Sequence, residues 1–534
     1  MTSARAATAS RSRMAGGIAE ALALQQQGRL DDAAHMLGAM LAAQPDRLDA
    51  QHLLGLICHQ QGRNVEALRL VGAVLKRTPR SAEVLNNHGL ILQSLARHQE
   101  ALGCFEEASA LGTDDIAALK NRAGSLKRLA RYEEAVAAYQ AVLALKADDL
   151  HALNECGGLL AWLGRSAAAI ACYETALAVA PETVQLHINK GMAHVALNRF
   201  ADALQSFEAA LAIDPQSAEA HYDASLVRLR LGDFRAGWRE YEWRWRKADK
   251  TGARREFAAP LWLGEEPIDG KTLLLLAEQG FGDTINFMRY AQLVAARGAT
   301  VILGVQSPLK AIAATVPGVS QVLGDGEPVP PIDFYCPLLS LPFAFQTELA
   351  TVPANIPYVR PTGERAAQWR DRVPANGRLR IGICWAGSNA HLNDRNRSIP
   401  LERFATILSL SGVDFVSLQR EVGESEAATL RQYGVNQLGQ EFDDFADTAA
   451  VIAMLDLVIA VDTSVAHLAG AMAKAVAVLL PFSPDFRWLL DRADTPWYPT
   501  MRLFRQSVIH DWDGPLERVR HELAGVVRRL AKFS

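Results

Sequence analysis

Small, alanine and bulky apolar positions recur together every 34 residues through the first half of the chain. Small residues fall at Ala21, Gly55, Gly89, Ala123, Gly157 and Gly191. Alanines follow at Ala33, Ala67, Ala101, Ala135, Ala169 and Ala203, and a bulky column runs Leu37, Val71, Phe105, Tyr139, Tyr173, Phe207 and Tyr241. Proline closes four units, at Pro45, Pro79, Pro181 and Pro215, with Thr113 and Ala147 in that place in the other two. The columns hold register without insertion from about residue 14 to about residue 247. Such a unit is a helical hairpin. The small residues let two helices approach, the bulky residue fills the gap to the next unit, and proline stops the second helix. A hairpin alone leaves its apolar face uncovered, so the units must stack, which predicts an α solenoid of six to seven repeats over 14–250.

These columns resemble the tetratricopeptide repeat, a likeness that implies a groove for a peptide or protein segment. A solenoid serving only as spacer or oligomerisation arm is the alternative. The seventh unit departs from the pattern. Ser225 and Gly237 hold its small positions, and its second helix, FRAGWREYEWRWRK, sets Trp238, Trp243 and Trp245 among arginines. Aromatics interleaved with basic residues can stack on nucleic acid. They also suit the end of a solenoid where it meets another domain, and the junction is the reading favoured here. Residues 1–13 contain arginines with no apolar run behind them, the pattern of a disordered leader.

From about residue 256 the pattern changes to short apolar runs alternating with helical stretches. Runs at 272–278, 300–305, 319–323 and 333–338 read as strands, with helices over 283–297 and near 307–315. A proline-rich crossing covers 353–378, and the alternation restarts at 379. Strands are expected at LRIGIC, DFVSLQ, DLVIAVD and AVAVLLP, with helices over 400–410, 424–433, 444–455, SVAHLAGAMAKA and 513–531. Two βαβ blocks predict two doubly wound, Rossmann-like lobes, 256–352 and 379–534, with ligands at the carboxyl ends of the strands.

Three strand-end loops carry candidate chemistry. In Glu278-Gln-Gly-Phe-Gly-Asp283, Gly280 and Gly282 permit a tight turn and close backbone approach to a ligand, and Asp283 opens a helix, either as cap or as functional carboxylate. The loop from Trp385 to Ser398 leaves backbone amides bare at Gly387 and Ser388 and brings Arg395 and Arg397, which suits a diphosphate. In Asp462-Thr-Ser-Val-Ala-His467 a helix start aims amides at the strand-end crevice. Thr463 and Ser464 add hydroxyls, and His467 reaches towards phosphate or sugar. Asp462 as a helix cap and His467 as a structural histidine are the plainer readings.

Together, G-F-G-D, W-A-G-S and D-T-S-x-x-H-L-A look like the heptosyltransferase family, inverting glycosyltransferases of the GT-B fold, over about residues 270–510. The resemblance implies Asp283 as general base, Gly387 and Ser388 in the donor-phosphate loop, and Asp462, Thr463 and His467 in the donor site. That family usually has a Lys after the phosphate loop, before Trp-Pro. Here the run is Asp394-Arg-Asn-Arg-Ser-Ile-Pro400, in which Arg395 or Arg397 substitutes in charge. Repeats fused to such a domain also look like bacterial protein glycosyltransferases, including those that modify flagellin.

Composition narrows the classes further. Over 534 residues, 55 Lys and Arg balance 59 Asp and Glu, which argues against a dedicated nucleic-acid or anionic-membrane binder. No apolar run reaches the roughly 18 residues of a membrane span. Six cysteines form no C-x-x-C pair, so no zinc or disulfide framework is suggested and a reducing cytoplasm is expected. Asp511-Trp-Asp513 precedes the last helix and reads as capping rather than as a metal site. The expected function is transfer of a sugar from a nucleotide-sugar to a protein acceptor recruited by the repeats, inverting and without metal or other cofactor. An envelope-saccharide transferase and a non-catalytic adaptor are the alternatives.

Overall fold

The computed structural model describes residues 17–112, 115–247, 257–388 and 393–530. The leader and Thr113 lie outside them. The chain divides into two compact units, Met1–Ala196 and Leu197–Ser534.

The first unit is helical throughout its described residues, apart from turns. Hairpins such as Ala82–Ser94 with His98–Ala110, and Leu150–Trp162 with Ser166–Val179, repeat along it. Ser81, Asp115 and Asp149 cap first helices, their side chains accepting from the amides of Val84, Ala117 and Ala152. Ala33, Ala67, Ala101, Ala135 and Ala169 are fully buried. The bulky column meets the next unit as expected, with the Tyr139 ring 6.0 Å from His151 and Leu37 clustered with Leu53 and Ile57, and it also packs back on its own hairpin. A Cβ on Gly89 would lie 2.6 Å from the Phe105 ring, and one on Gly157 2.6 Å from the Tyr173 ring. Where the small position is glycine, the bulky residue thus also seats on that glycine of its own hairpin, sixteen residues earlier, in space a Cβ would occupy. Gly157→Val should cost about 1–3 kcal/mol by overpacking. Denaturant midpoints for the variant and wild type check this, and an unchanged midpoint would remove the argument.

The second unit begins with the helix Phe200–Ile213, the hairpin Ala218–Leu231 and Phe234–Tyr241, and a 3₁₀ turn, Glu242–Arg246. Two parallel sheets follow. The first lobe holds β1 (Thr272–Leu276), β2 (Thr300–Gly304), β3 (Val319–Leu323) and β4 (Phe334–Pro337), in the order β3-β2-β1-β4. The second holds β5 (Leu379–Cys384), β6 (Val413–Ser417), β7 (Asn436–Gln437), β8 (Leu457–Val461), β9 (Val476–Leu480) and β10 (Met501–Arg505), in the order β10-β9-β8-β5-β6-β7. Central strands such as LVIAV and VAVLL are apolar along their length because helices cover both faces of a parallel sheet. Strand order reverses between β1 and β4 and between β5 and β8, the positions at which doubly wound sheets bind ligands.

Several elements differ from expectation. The helix expected over 283–297 starts at Phe281 with Gly280 as N-cap, tightens to 3₁₀ at Met288–Tyr290 and resumes at Ala291–Ala295. The buried Arg289 takes the Asn286 carbonyl with its Nε at 2.7 Å inside that tightened turn. The crossing carries a short helix, Gly363–Trp369, and β7 and β10 extend the second sheet. Leu229, Phe234, Trp238 and Tyr241 of the hairpin share one core with Leu273 and Phe287 of the first lobe and Val458, Phe486 and Trp497 of the second. The Trp238 ring lies edge-on to Phe287 at 5.9 Å and to Phe486 at 5.5 Å. Arg244 is buried against Glu278 at the end of β1, with contacts of 2.9 and 3.0 Å.

Candidate functional site

The ends of β1, β5 and β8 converge within the second unit. Beyond β1, Asp283 is the third residue of the helix Phe281–Phe287, and its Oδ2 accepts the Gly280 amide at 3.0 Å. It is thus the back-reaching member of the cap rather than the N-cap itself. Its other oxygen accepts from Arg487 Nη2 in a short ion pair. Beyond β8, the helix Ser464–Ala471 packs against that same turn. A Cβ on Gly282 would lie 2.9 Å from His467 Cδ2 and 3.6 Å from Ser464 Cα. Gly282 is therefore the contact point of two helices, and its missing side chain lets them meet.

Thr463, and not Asp462, is the N-cap of Ser464–Ala471, because the strand runs on through Val461 and Thr463 takes the extended conformation at the helix start. The Thr463 side chain makes no cap bond; its Oγ1 lies 3.8 Å from Cys384 Sγ. Asp462 Oδ1 lies 3.7 Å from His467 Nε2. The other ring nitrogen, Nδ1, meets Tyr498 Oη at 3.1 Å, and the ring stacks on Trp488 at 5.3 Å.

Residues 389–392 of the loop after β5 lie outside the described residues, and its described parts, 385–388 and 393–398, are more self-contained than the sequence suggests. The Gly387 amide donates to Ser398 Oγ at 3.0 Å, and the Ala386 amide to Gln419 Oε1 at 3.2 Å, so these amides are used internally. A Cβ on Gly387 would run into the Arg397 guanidinium. Arg397 donates to the Asp462 carbonyl from Nη1 at 3.0 Å and to Asp394 Oδ1 from Nε at 3.2 Å. Arg397 thereby joins the second and third loops. Arg395 sits on the same short turn and is exposed, as is Ser388.

Sequence reasoning missed Asp485 and Arg487, in the loop after β9. Asp485 Oδ1 accepts from the Arg487 amide at 3.0 Å and from its Nη1 at 2.7 Å. Burial opposes the Arg487 charge, but Asp485 and Asp283 outweigh it and raise its pKa. This one guanidinium, only 8% exposed, bridges the first lobe to the second. The signal was present in Ser483-Pro-Asp-Phe-Arg487, an oppositely charged pair at the next strand end in the series. For the described residues, no group of three or more His, Cys, Asp or Glu is placed to hold a metal ion. Asp511 Oδ1 accepts from the Gly514 amide at 3.2 Å, and Asp513 pairs with Arg403 at 2.8 Å.

Two titrations oppose each other. Burial, aided by Asp485, pushes the Asp462 carboxyl up to about 6. Burial, aided by Arg487, holds the His467 imidazole down to about 3, so it is neutral beside Asp462. Between about 3 and 6.5 the unfolded chain binds the His467 proton and the folded chain does not, so this group makes stability rise with pH. Between 3.8 and about 6 the folded chain keeps the Asp462 proton longer, so that group makes stability fall with pH. Asp462→Asn removes the second slope. Its melting temperature should climb more steeply than wild type from about pH 4 to pH 6; parallel profiles would contradict the assignment.

In the first unit, side-chain amides bond between successive first helices: Asn121 Nδ2 to Asn86 Oδ1 at 2.9 Å, and Asn189 Nδ2 to Asn154 Oδ1 at 3.0 Å. They form a repeated row of half-buried amides, each with both donor and acceptor character.

The tetratricopeptide-repeat family model matches residues 18–82, 159–218 and 189–237, so the N-terminal region carries tetratricopeptide repeats. The protein FlbA of Caulobacter vibrioides is 25% identical over 317 residues, 54% of this chain and 52% of FlbA. The chain thus spans about half the length of that relative. Among solved structures, a tetratricopeptide repeat protein from Parabacteroides merdae is 16% identical, with TM-score 0.35, over 44% of this chain and 93% of its own. PilF of Pseudomonas aeruginosa is 20% identical, with TM-score 0.34, over 38% and 93%. No helix among the described residues is long and apolar enough to cross a membrane.

Proposed function

We propose that the chain is a glycosyltransferase of GT-B type, moving a sugar from a nucleotide-sugar to a protein acceptor held by its tetratricopeptide repeats. The observation that carries this is the convergence of Asp283, Arg397, Asp462, His467 and Arg487 on loops from adjoining strand ends of two parallel sheets. The chemistry needs one carboxylate to accept the acceptor hydroxyl's proton while the hydroxyl attacks the anomeric carbon from the face opposite the leaving nucleotide. Asp283 serves as that base. Each of its oxygens accepts one hydrogen bond and retains a second lone pair for a hydroxyl. The departing diphosphate is stabilised by Arg397 and by the positive end of the helix Ser464–Ala471. With cationic groups in those places, the step requires no divalent metal. The repeats supply the protein-binding surface, and their row of asparagine amides offers partners to a peptide backbone.

A panel of nucleotide-sugars in a thermal-shift measurement identifies the donor, since a ligand that binds only the folded chain raises its melting temperature. Labelled donor is then incubated with lysate. Label entering protein supports the proposal, and label entering only lipid-linked glycan favours the envelope-saccharide reading. No donor shift and no transfer would leave the repeats as a protein-binding adaptor.

A further inference from the structure

The hairpin of Leu150–Trp162 and Ser166–Val179 carries Cys156 on its first helix and Cys172 on its second, sixteen residues apart. That interval sets two side chains face to face within a hairpin. The next pair along, Gly157 and Tyr173, shows it, with the ring 2.6 Å from the place of a Cβ on Gly157. The equivalent pair two units earlier is His88 and Cys104, with Nδ1 3.4 Å from Sγ. Where that pair holds a histidine and a thiol, this hairpin holds two thiols, and they are hydrogen-bonded to each other.

The remaining cysteines have other neighbours. Cys58 accepts from Arg63 Nη2 at 3.2 Å, Cys336 Sγ lies 3.4 Å from the Pro337 carbonyl, and Cys384 Sγ 3.4 Å from Gln419 Oε1. The two thiols of the hairpin are unequal: Cys156 is buried and Cys172 half-buried. The Cys156 thiol donates to Cys172 Sγ, which favours a thiolate there and lowers its pKa against the opposing effect of burial. The same hydrogen bond, with burial, raises Cys156, which keeps its proton. An accessible thiolate beside a protonated thiol is the arrangement of an attacking and a resolving cysteine. At the matched position Cys104 faces His88, whose own pKa burial lowers. There burial, with Glu107 and Glu100, pushes the Cys104 thiol up to about 11. Among the described residues no third His, Cys, Asp or Glu completes a metal-holding group with the pair.

We infer that Cys156 and Cys172 form a reversible redox site, a dithiol that a peroxide converts to a disulfide within one repeat. The Cys172 thiolate attacks one oxygen of hydrogen peroxide, the O–O bond breaks and hydroxide leaves, giving a sulfenic acid on Cys172. The Cys156 sulfur then attacks the sulfenic sulfur. Its proton leaves with the hydroxyl as water, and the disulfide forms. In all, two thiols and one peroxide give one disulfide and two waters, with two electrons passing from sulfur to oxygen. The sulfurs have only to close from contact to about 2.05 Å, because the hairpin already holds them facing. A small dithiol reverses the step by exchange. The bond forms in the hairpin that carries Asn154 of the amide row, and it is independent of sugar transfer.

The test uses the full chain, with Cys104 as its internal comparison. At neutral pH, iodoacetamide should alkylate Cys172 at least about tenfold faster than Cys104, since both are half-buried and the rate follows the thiolate fraction. One equivalent of hydrogen peroxide should lower the mass by the two thiol hydrogens. Non-reducing peptide maps should then join the peptides of Cys156 and Cys172, and dithiothreitol should restore the original mass. Cys156→Ala should slow alkylation of Cys172 and leave the peroxide product as a sulfenic acid that dimedone traps. If that variant fails to fold, the wild-type rates and maps decide alone. Alkylation of Cys172 no faster than Cys104 overturns the site. So does oxidation to sulfinic acid with no bond between the two cysteines, or a disulfide that joins separate chains instead.

Discussion

Asp283→Asn should fold, bind donor and lose roughly two to four orders of magnitude in transfer rate, the usual contribution of a general base. The surroundings of Asp283 make this a clean substitution. Asn keeps the size and one acceptor oxygen, so either the Gly280 amide or Arg487 stays bonded, and Arg487 retains Asp485. The lost contact should cost about 1–2 kcal/mol, which melting temperatures will register as a modest drop. Single-turnover transfer rates carry the decision. A rate near wild type would confine Asp283 to its cap and its ion pair, and the base would have to be sought elsewhere.

Deleting residues 1–196 should abolish modification of a protein acceptor, a fall of at least about a hundredfold if the repeats supply binding worth about 3 kcal/mol. Donor binding should persist, because every residue assigned to the crevice lies in the unit Leu197–Ser534. A cut at 215 would be a poorer choice. It removes Phe200, on which Arg230 stacks, and Asn198, which holds the Phe482 carbonyl. Acceptor assays and donor calorimetry on the fragment check both halves. Undiminished acceptor modification would show that recruitment lies outside the first unit.

Much of this was legible in the sequence, for identifiable reasons. The 34-residue columns reflect contacts between neighbouring helices, and local spacing reports those faithfully. Buried parallel strands announce themselves as apolar runs, as β1, β8 and β9 do. The amphipathic edge strand β10, Met-Arg-Leu-Phe-Arg, did not, because arginines interrupt its apolar positions. The strand-end loops singled out Asp283, Arg397, Asp462 and His467, which the fold brings to adjoining strand ends. Their partners were not legible. Arg487 lies 204 residues from Asp283, and although the pair Asp485 and Arg487 stood at a strand end in the sequence, nothing there named Asp283 as the partner across two lobes. The bare amides expected at Gly387 were also misplaced, since Ser398 returns eleven residues later to take one. Spacing shows where a loop starts, but the partners of its polar groups are set by tertiary packing.

The core shared by the last repeat hairpin and both lobes sets how this unit comes apart. Trp238 cannot leave without exposing Phe287 and Phe486 together, and Phe234 covers Trp497 at 6.2 Å in the same way. Fraying of that hairpin and melting of the two sheets are therefore a single cooperative event. A lesion in the hairpin, however far in sequence from the strand-end loops, will be felt as loss of the whole crevice.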